Sequence, residues 1–125
     1  MKKPQILIAE DEQVAQRVIQ RTLKQMGYQA DVASDGTEVM AALEKKTYDI
    51  IFMDLQMPVM DGFETTMKIR EEHASNDTQP VIVALTSNSG KGFRKVCTNI
   101  GMQGFLSKPV DSAKIQEAIS KWFPG

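Results

Sequence analysis

The chain has 125 residues, enough for one domain with a proper core, and 42% hydrophobic against 25% charged residues is the balance of a globular protein in water. A formal net charge of −1 and a pI near 5.8 exclude a global basic field that would attract nucleic acid or an anionic membrane. The single cysteine, Cys97, excludes an internal disulfide and a cysteine zinc cage, and reads as a buried thiol.

Lys2 and Lys3 have the look of a basic export-signal start, but only Ile6 to Ala9 follow before Glu10-Asp11-Glu12. That run is too short for export or for spanning a bilayer, so a cytoplasmic protein is expected. Gln5 to Ala9 predicts a first buried strand. Val14, Ala15, Val18, Ile19, Leu23 and Met26 then recur at helical spacing, with Arg17, Arg21 and Lys24 on the opposite face and Gly27 as the stop. Tyr28, Ala30 and Val32 alternate with polar residues, which predicts a half-exposed edge strand. Asp35-Gly36 leads into a second helix with Val39, Met40 and Leu43 inward.

Ile50 to Met53 is an apolar run that ends in a carboxylate, Asp54, followed by Pro58 and Asp61-Gly62. Such a run bounded by turn residues suits a strand buried on both faces, with Asp54 at its carboxyl end. A third helix is expected from about Phe63 to Glu72, and a polar loop from His73 to Gln79. Pro80 to Leu85 is the next buried run and ends in Thr86. Phe93, Val96, Cys97 and Ile100 give a fourth helix that Gly90 and Gly92 weaken and Gly101 closes. Gly104 to Ser107 is a short strand ending in Lys108-Pro109. Asp111 or Ser112 caps a last helix with Ile115, Ala118, Ile119 and Trp122 on one face.

Strand and helix therefore alternate five times without a long linker, which implies one doubly wound α/β domain with a five-stranded parallel sheet. The polar second strand and the short fifth strand suit the edges, giving the flavodoxin-like order 2-1-3-4-5. In such sheets ligands bind at the carboxyl ends of the strands, where the winding switches. Those ends carry Glu10 and Asp11, Asp54, Thr86 and Lys108. Singly, each could be a helix cap or a solvated charge. Together, three converging carboxylates repel one another unless a cation relieves them, and hard oxygen ligands without His or Cys point to Mg²⁺. Lys108 and Thr86 add a cation and a hydroxyl that suit a phosphoryl group.

Those residues carry a family resemblance. The segment M-D-L-Q-M-P-V-M-D-G-F-E around Asp54, E-D-E at 10–12, A-L-T-S at 84–87 and F-L-S-K-P at 105–109 resemble a response-regulator receiver domain of two-component or phosphorelay signalling, over essentially the whole chain. The resemblance implies that Asp54 is the phosphoacceptor, taking the group from the phosphohistidine of a histidine kinase or histidine phosphotransfer protein. It implies Mg²⁺ on Asp11, Asp54 and the backbone carbonyl of Gln56, with Glu10 acting through water. Lys108 neutralises the phosphoryl oxygens, Thr86 hydrogen-bonds them, and Thr86 and Phe105 form a switch that alters the surface of the fourth helix, fifth strand and fifth helix. Glu10 stands where the family more often has Asp, and Phe105 where it often has Tyr. Gln56 and Asn88 occupy positions that tune phosphoryl lifetime.

Other residues carry less. His73, the only histidine, reads as solvated, so the donor acts in trans. Lys91, Arg94 and Lys95 read as a solvated basic face or a partner contact, and Met57 and Met60 as gap fillers. Because Pro124-Gly125 follows the last helix directly, residues 1–125 are expected to be one receiver without an output domain. That fits a single-domain regulator or a receiver excised from a hybrid kinase, as a monomer or weak homodimer with an unidentified downstream protein. A rival is a Mg²⁺-dependent aspartyl phosphatase of the haloacid dehalogenase kind, which would place an acid where Gln56 stands. A pure interaction module would not need the five site residues, and a flavin protein would not want E-D-E after its first strand.

Overall fold

The computed structural model describes residues 3–72, 79–87 and 90–124. Five parallel strands, β1 (Ile6–Ala9), β2 (Ala30–Ala33), β3 (Ile50–Asp54), β4 (Val81–Thr86) and β5 (Gly104–Ser107), form one sheet in the order β2-β1-β3-β4-β5. Between and after them run α1 (Gln13–Gln25), α2 (Gly36–Lys45), α3 (Gly62–Glu72), α4 (Lys91–Ile100) and α5 (Ser112–Trp122). The order is the one expected, although β5 is no shorter than β1 or β2 at four residues each. Polarity alone marks β2 as an edge.

The alternation of side chains along each strand divides the interior in two. Leu7 and Ala9, Ile51 and Met53, and Ile82 and Ala84 point to one face, where they meet Val39, Ile69 and Cys97 of α2, α3 and α4. Ile6 and Ile8, Ile50 and Phe52, and Val83 and Leu85 point to the other, against Ile19 and Leu23 of α1 and Ile115 and Ile119 of α5. Every residue of β1 and β3 is buried, as expected of central strands covered on both sides.

The helix ends follow local chemistry. Gly27 (φ +91°) and Gly101 (φ +121°) adopt the left-handed conformation after α1 and α4. At each end a residue further on, Tyr28 or Met102, donates its N–H back to Leu23 O at 2.8 Å or Cys97 O at 3.1 Å. Asp35 caps α2 through the Glu38 N–H, and Asp111, rather than Ser112, caps α5 through the Lys114 N–H. Asp61-Gly62 is a helix start rather than only a break, because Asp61 Oδ1 accepts the Glu64 N–H at 2.9 Å. Gly90 lies outside α4 as its N-cap, so only Gly92 weakens the helix from within. A Cβ at Gly92 meets nothing within 4 Å. Gly92→Ala is therefore expected to raise stability by about 0.5–1 kcal/mol in urea unfolding.

Two helices expose apolar residues that their spacing placed inward. Val14 and Val18 of α1 are 65% and 44% exposed, and Val96 of α4 is 53% exposed. Helical periodicity locates an apolar stripe but not how much of it a neighbour covers. Here α5 reaches Ile19 and Leu23 while the start of α1 stands clear of the sheet.

At the far end of the sheet, Arg70 of α3 joins three segments. Its guanidinium donates to Gly101 O (3.0 and 2.7 Å), Pro80 O (2.9 Å), Gln79 Oε1 (2.8 Å) and Gln103 Oε1 (2.9 Å). Gln103 Oε1 in turn accepts the Ile82 N–H at 2.8 Å. Burial holds the Arg70 guanidinium below its usual pKa.

Candidate functional site

Strand register levels the site residues with one another. Ala9 pairs with Met53, so Glu10 follows β1 beside Asp54 at the end of β3. Thr86 pairs with Ser107, and the Lys108 N–H donates to Thr86 O at 2.9 Å. One carboxylate oxygen from each of Glu10, Asp11 and Asp54 lies within 4.8 Å of the others. Glu10 and Asp54 are buried at 3% and 2% exposure, whereas Asp11 is exposed. Gln16 of α1 donates from its amide to Glu10 O and fixes the turn that presents the acids.

Lys108 reaches into this cluster. Its Nζ stands 2.8 Å from Asp54 Oδ1 and 3.9 Å from Glu10 Oε1. Asp54 Oδ1 also accepts the Gln56 N–H at 3.1 Å. Burial pulls the Lys108 pKa down, but the hydrogen bond to Asp54 and the charges of Asp54, Glu10 and Asp11 outweigh it and leave the ammonium above its ordinary value. Glu10 moves furthest. Burial first, then the hydrogen bond and charge of Asp54, push its carboxyl from 4.5 up to about 8, against the opposing Glu12 N–H and Lys108. Desolvation is thus the largest single cause, ahead of either contribution from Asp54.

This shift has a pH signature. A carboxyl whose folded pKa is raised binds its proton more tightly when folded, so its stability contribution is full below 4.5 and is lost as pH rises through about 8. In EDTA, the thermal midpoint is expected to fall across that window, and Glu10→Gln to flatten the fall.

A cavity of about 180 Å³ opens beside Asp54, lined by Gln56, Phe63, Thr86, Phe93 and Lys108 among others. Phe63 and Phe93 meet edge to face, 5.8 Å between centroids, and form its apolar wall. The sequence offered no signal for this pairing, since each ring had a sufficient role on its own helix. Thr86 is buried at 8% exposure. Phe105 is half-buried with the Arg94 guanidinium 5.6 Å from its ring centroid, so Arg94 has an aromatic contact as well as a solvated face. Met57 is buried and Met60 half-buried, as gap fillers should be. Val59, in the loop after β3, is 81% exposed at φ +67°, in a tight turn closed by the Met60 N–H on Pro58 O at 2.7 Å.

A second groove of about 310 Å³ adjoins the acids. Glu10, Val14, Val18, Lys108, Pro109 and Val110 contribute to its walls, so the exposed start of α1 faces the site. The Lys108–Pro109 peptide is cis. His73, Asn88 and the Lys91 side chain lie outside the described residues. Among the described residues no helix is long and apolar enough to cross a membrane.

The winding order and the acid–lysine cleft define the class of flavodoxin-like modules built as the chemotaxis receivers are. A family model for the response regulator receiver domain matches residues 6–120, and the chain belongs to that family. Its members are the receivers of two-component and phosphorelay signalling. The chain is 44% identical over 119 residues to hybrid signal transduction histidine kinase B of Dictyostelium discoideum, an alignment that takes in 88% of this chain and 6% of that protein. The chain spans 6% to 16% of the length of the curated relatives it matches.

Among solved structures, the receiver domain of the Pseudomonas aeruginosa sensor kinase PA1611, with magnesium coordinated in its active-site cleft, is 33% identical. Its TM-score is 0.83, with 99% of this chain and 100% of that one covered. The Saccharomyces cerevisiae Ssk1 receiver, solved with the phosphotransfer protein Ypd1, is 26% identical with a TM-score of 0.89 and covers 98% and 91%.

Proposed function

We propose that Asp54 is the phosphoacceptor of a histidine-to-aspartate relay. An oxygen of its carboxylate attacks phosphorus, the bond from phosphorus to the donor's imidazole nitrogen breaks, and an acyl phosphate forms as neutral histidine leaves. The observation that carries this reading is Lys108 Nζ at 2.8 Å from Asp54 Oδ1, in a cleft shared with Glu10 and Asp11. The donor set fits Mg²⁺: hard carboxylates only, one of them driven toward its protonated form by burial and by the neighbouring Asp54. Asp11, Asp54 and the Gln56 carbonyl would hold the ion, with Glu10 reaching it through water. The metal supplies charge neutralisation at the phosphoryl oxygens. Lys108 supplies the same from the protein side, and Thr86 donates its hydroxyl to the transferred group.

Drawing Thr86 inward makes room for Phe105, whose inward swing gives up the contact with Arg94. The surface of α4, β5 and α5 then changes for a downstream protein. The donor is the phosphohistidine of a histidine kinase or phosphotransfer protein. The groove walled by Val14, Val18 and Val110, continuous with Lys108, supports its approach from that side. Likeness to hybrid-kinase receivers favours a relay within or from such a kinase, in the cytoplasm. Residues 1–125 act as one receiver that assists its own phosphorylation and is not a turnover enzyme.

Incubation with Mg²⁺ and acetyl phosphate is expected to give one hydroxylamine-labile adduct per chain by intact mass, and EDTA to prevent it. Absence of the adduct would overturn the reading. Repeated turnover of small phosphoesters would instead favour the aspartyl phosphatase, although Gln56 stands where that chemistry wants an acid.

A further inference from the structure

We propose that Lys114 is a positioning residue for phosphoryl transfer, holding the chain on both sides of Lys108 so that the Lys108 ammonium stands over Asp54. The inference rests on the role given above to Lys108. Lys114 lies in the first turn of α5, half-buried, and its own N–H completes the Asp111 cap at 3.0 Å. Its side chain turns back across the β5–α5 connection. There Nζ donates to Ser107 O at 2.9 Å and to Pro109 O at 3.0 Å, the carbonyls immediately before and after Lys108.

The placement of this ammonium runs against the local field. The first turn of a helix carries partial positive charge, so a cation there is disfavoured; α5 has no acidic residue within that turn, and the Asp111 carboxylate just before it is engaged by the Lys114 N–H. Among the described residues no carboxylate lies within salt-bridge distance of Lys114. What holds the ammonium in place is the pair of charge-assisted hydrogen bonds to the two carbonyls. With the Lys108 N–H on Thr86 O at 2.9 Å, the chain around Lys108 is then tied at three points: Lys108 itself to β4, and its neighbours Ser107 and Pro109 to α5. The four-carbon stem of Lys108 is flexible. Fixing its origin is what narrows the volume that its Nζ visits, and a positioned cation loses effect steeply with misplacement.

The test compares the parent with K114M, K114R, K108A and the K108A/K114M double variant. Uptake of phosphoryl from acetyl phosphate in Mg²⁺ is followed by intact mass, beside the thermal midpoint of each protein. K114M is expected to slow uptake about tenfold, K114R to restore it to within about twofold, and K114M to cost nothing further in the K108A background. Equal losses in both backgrounds, or a parent-like rate for K114M, would overturn the proposal. A parent-like rate for K108A would instead overturn the role of Lys108 itself. Beryllofluoride affinity by fluorine NMR in the same proteins must follow the same pattern, and serves where K108A takes up too little phosphoryl to time.

Discussion

Asp54→Asn is expected to abolish phosphoryl uptake outright, with no adduct from acetyl phosphate in Mg²⁺ when intact mass is followed to saturation of the parent. The amide keeps the shape of the carboxylate, and its oxygen can still accept from Lys108 Nζ and the Gln56 N–H, so the fold should survive. It lacks the negative charge that makes the oxygen a nucleophile. The same change removes one of three converging acids, so Mg²⁺ affinity should fall. Glu10 loses the hydrogen bond and charge of Asp54 but keeps its burial, the largest single cause of its raised pKa. In EDTA, the decline of thermal stability with rising pH should therefore shrink and not vanish. A full decline in the variant would mean that Asp54 does not press on Glu10, and a residual adduct would mean that a second residue is phosphorylated.

Gly62→Ala is expected to destabilise the protein by about 2–3 kcal/mol and to lower its thermal midpoint by roughly 10 °C. A Cβ there would stand 2.5 Å from the Asp54 carbonyl oxygen and 2.9 Å from Leu55 Cα, both of them backbone atoms that cannot step aside alone. The Gly62 N–H is also held on Leu55 O at 3.2 Å, so α3 begins pressed against the end of β3. Relief of the clash must move the strand end that carries Asp54, and phosphoryl uptake should slow with the loss of stability. Gly92→Ala gives the opposite sign in the same assay, because that Cβ enters open space. Equal effects at the two glycines would refute the packing explanation.

Strands, helices and winding order were legible because β1, β3 and β4 are unbroken apolar runs that each end in a polar residue. The convergence of the candidate site residues was legible for the same reason. A carboxylate, hydroxyl or lysine directly after such a run has no place in either core, and the winding order brings these ends together. What stayed hidden depends on contacts between distant segments. Val14 and Val18 share the apolar stripe of α1, yet their exposure is decided by how far α5 extends along it. Phe63 and Phe93, 30 positions apart, touch only because α3 and α4 lie side by side. Lys114 carried no signal in the sequence, since backbone carbonyls as partners leave no trace in composition.

Among the described residues, the hydrogen bonds of Arg70 end on carbonyl oxygens, of backbone or of glutamine. Carbonyl partners carry no charge, so neither a pH change through the Glu10 window nor added salt should loosen this joint. The Gly101 end of α4 is thereby moored like a ruler clamped at the bench edge, and a displacement begun beside Asp54 is expected to be smallest there.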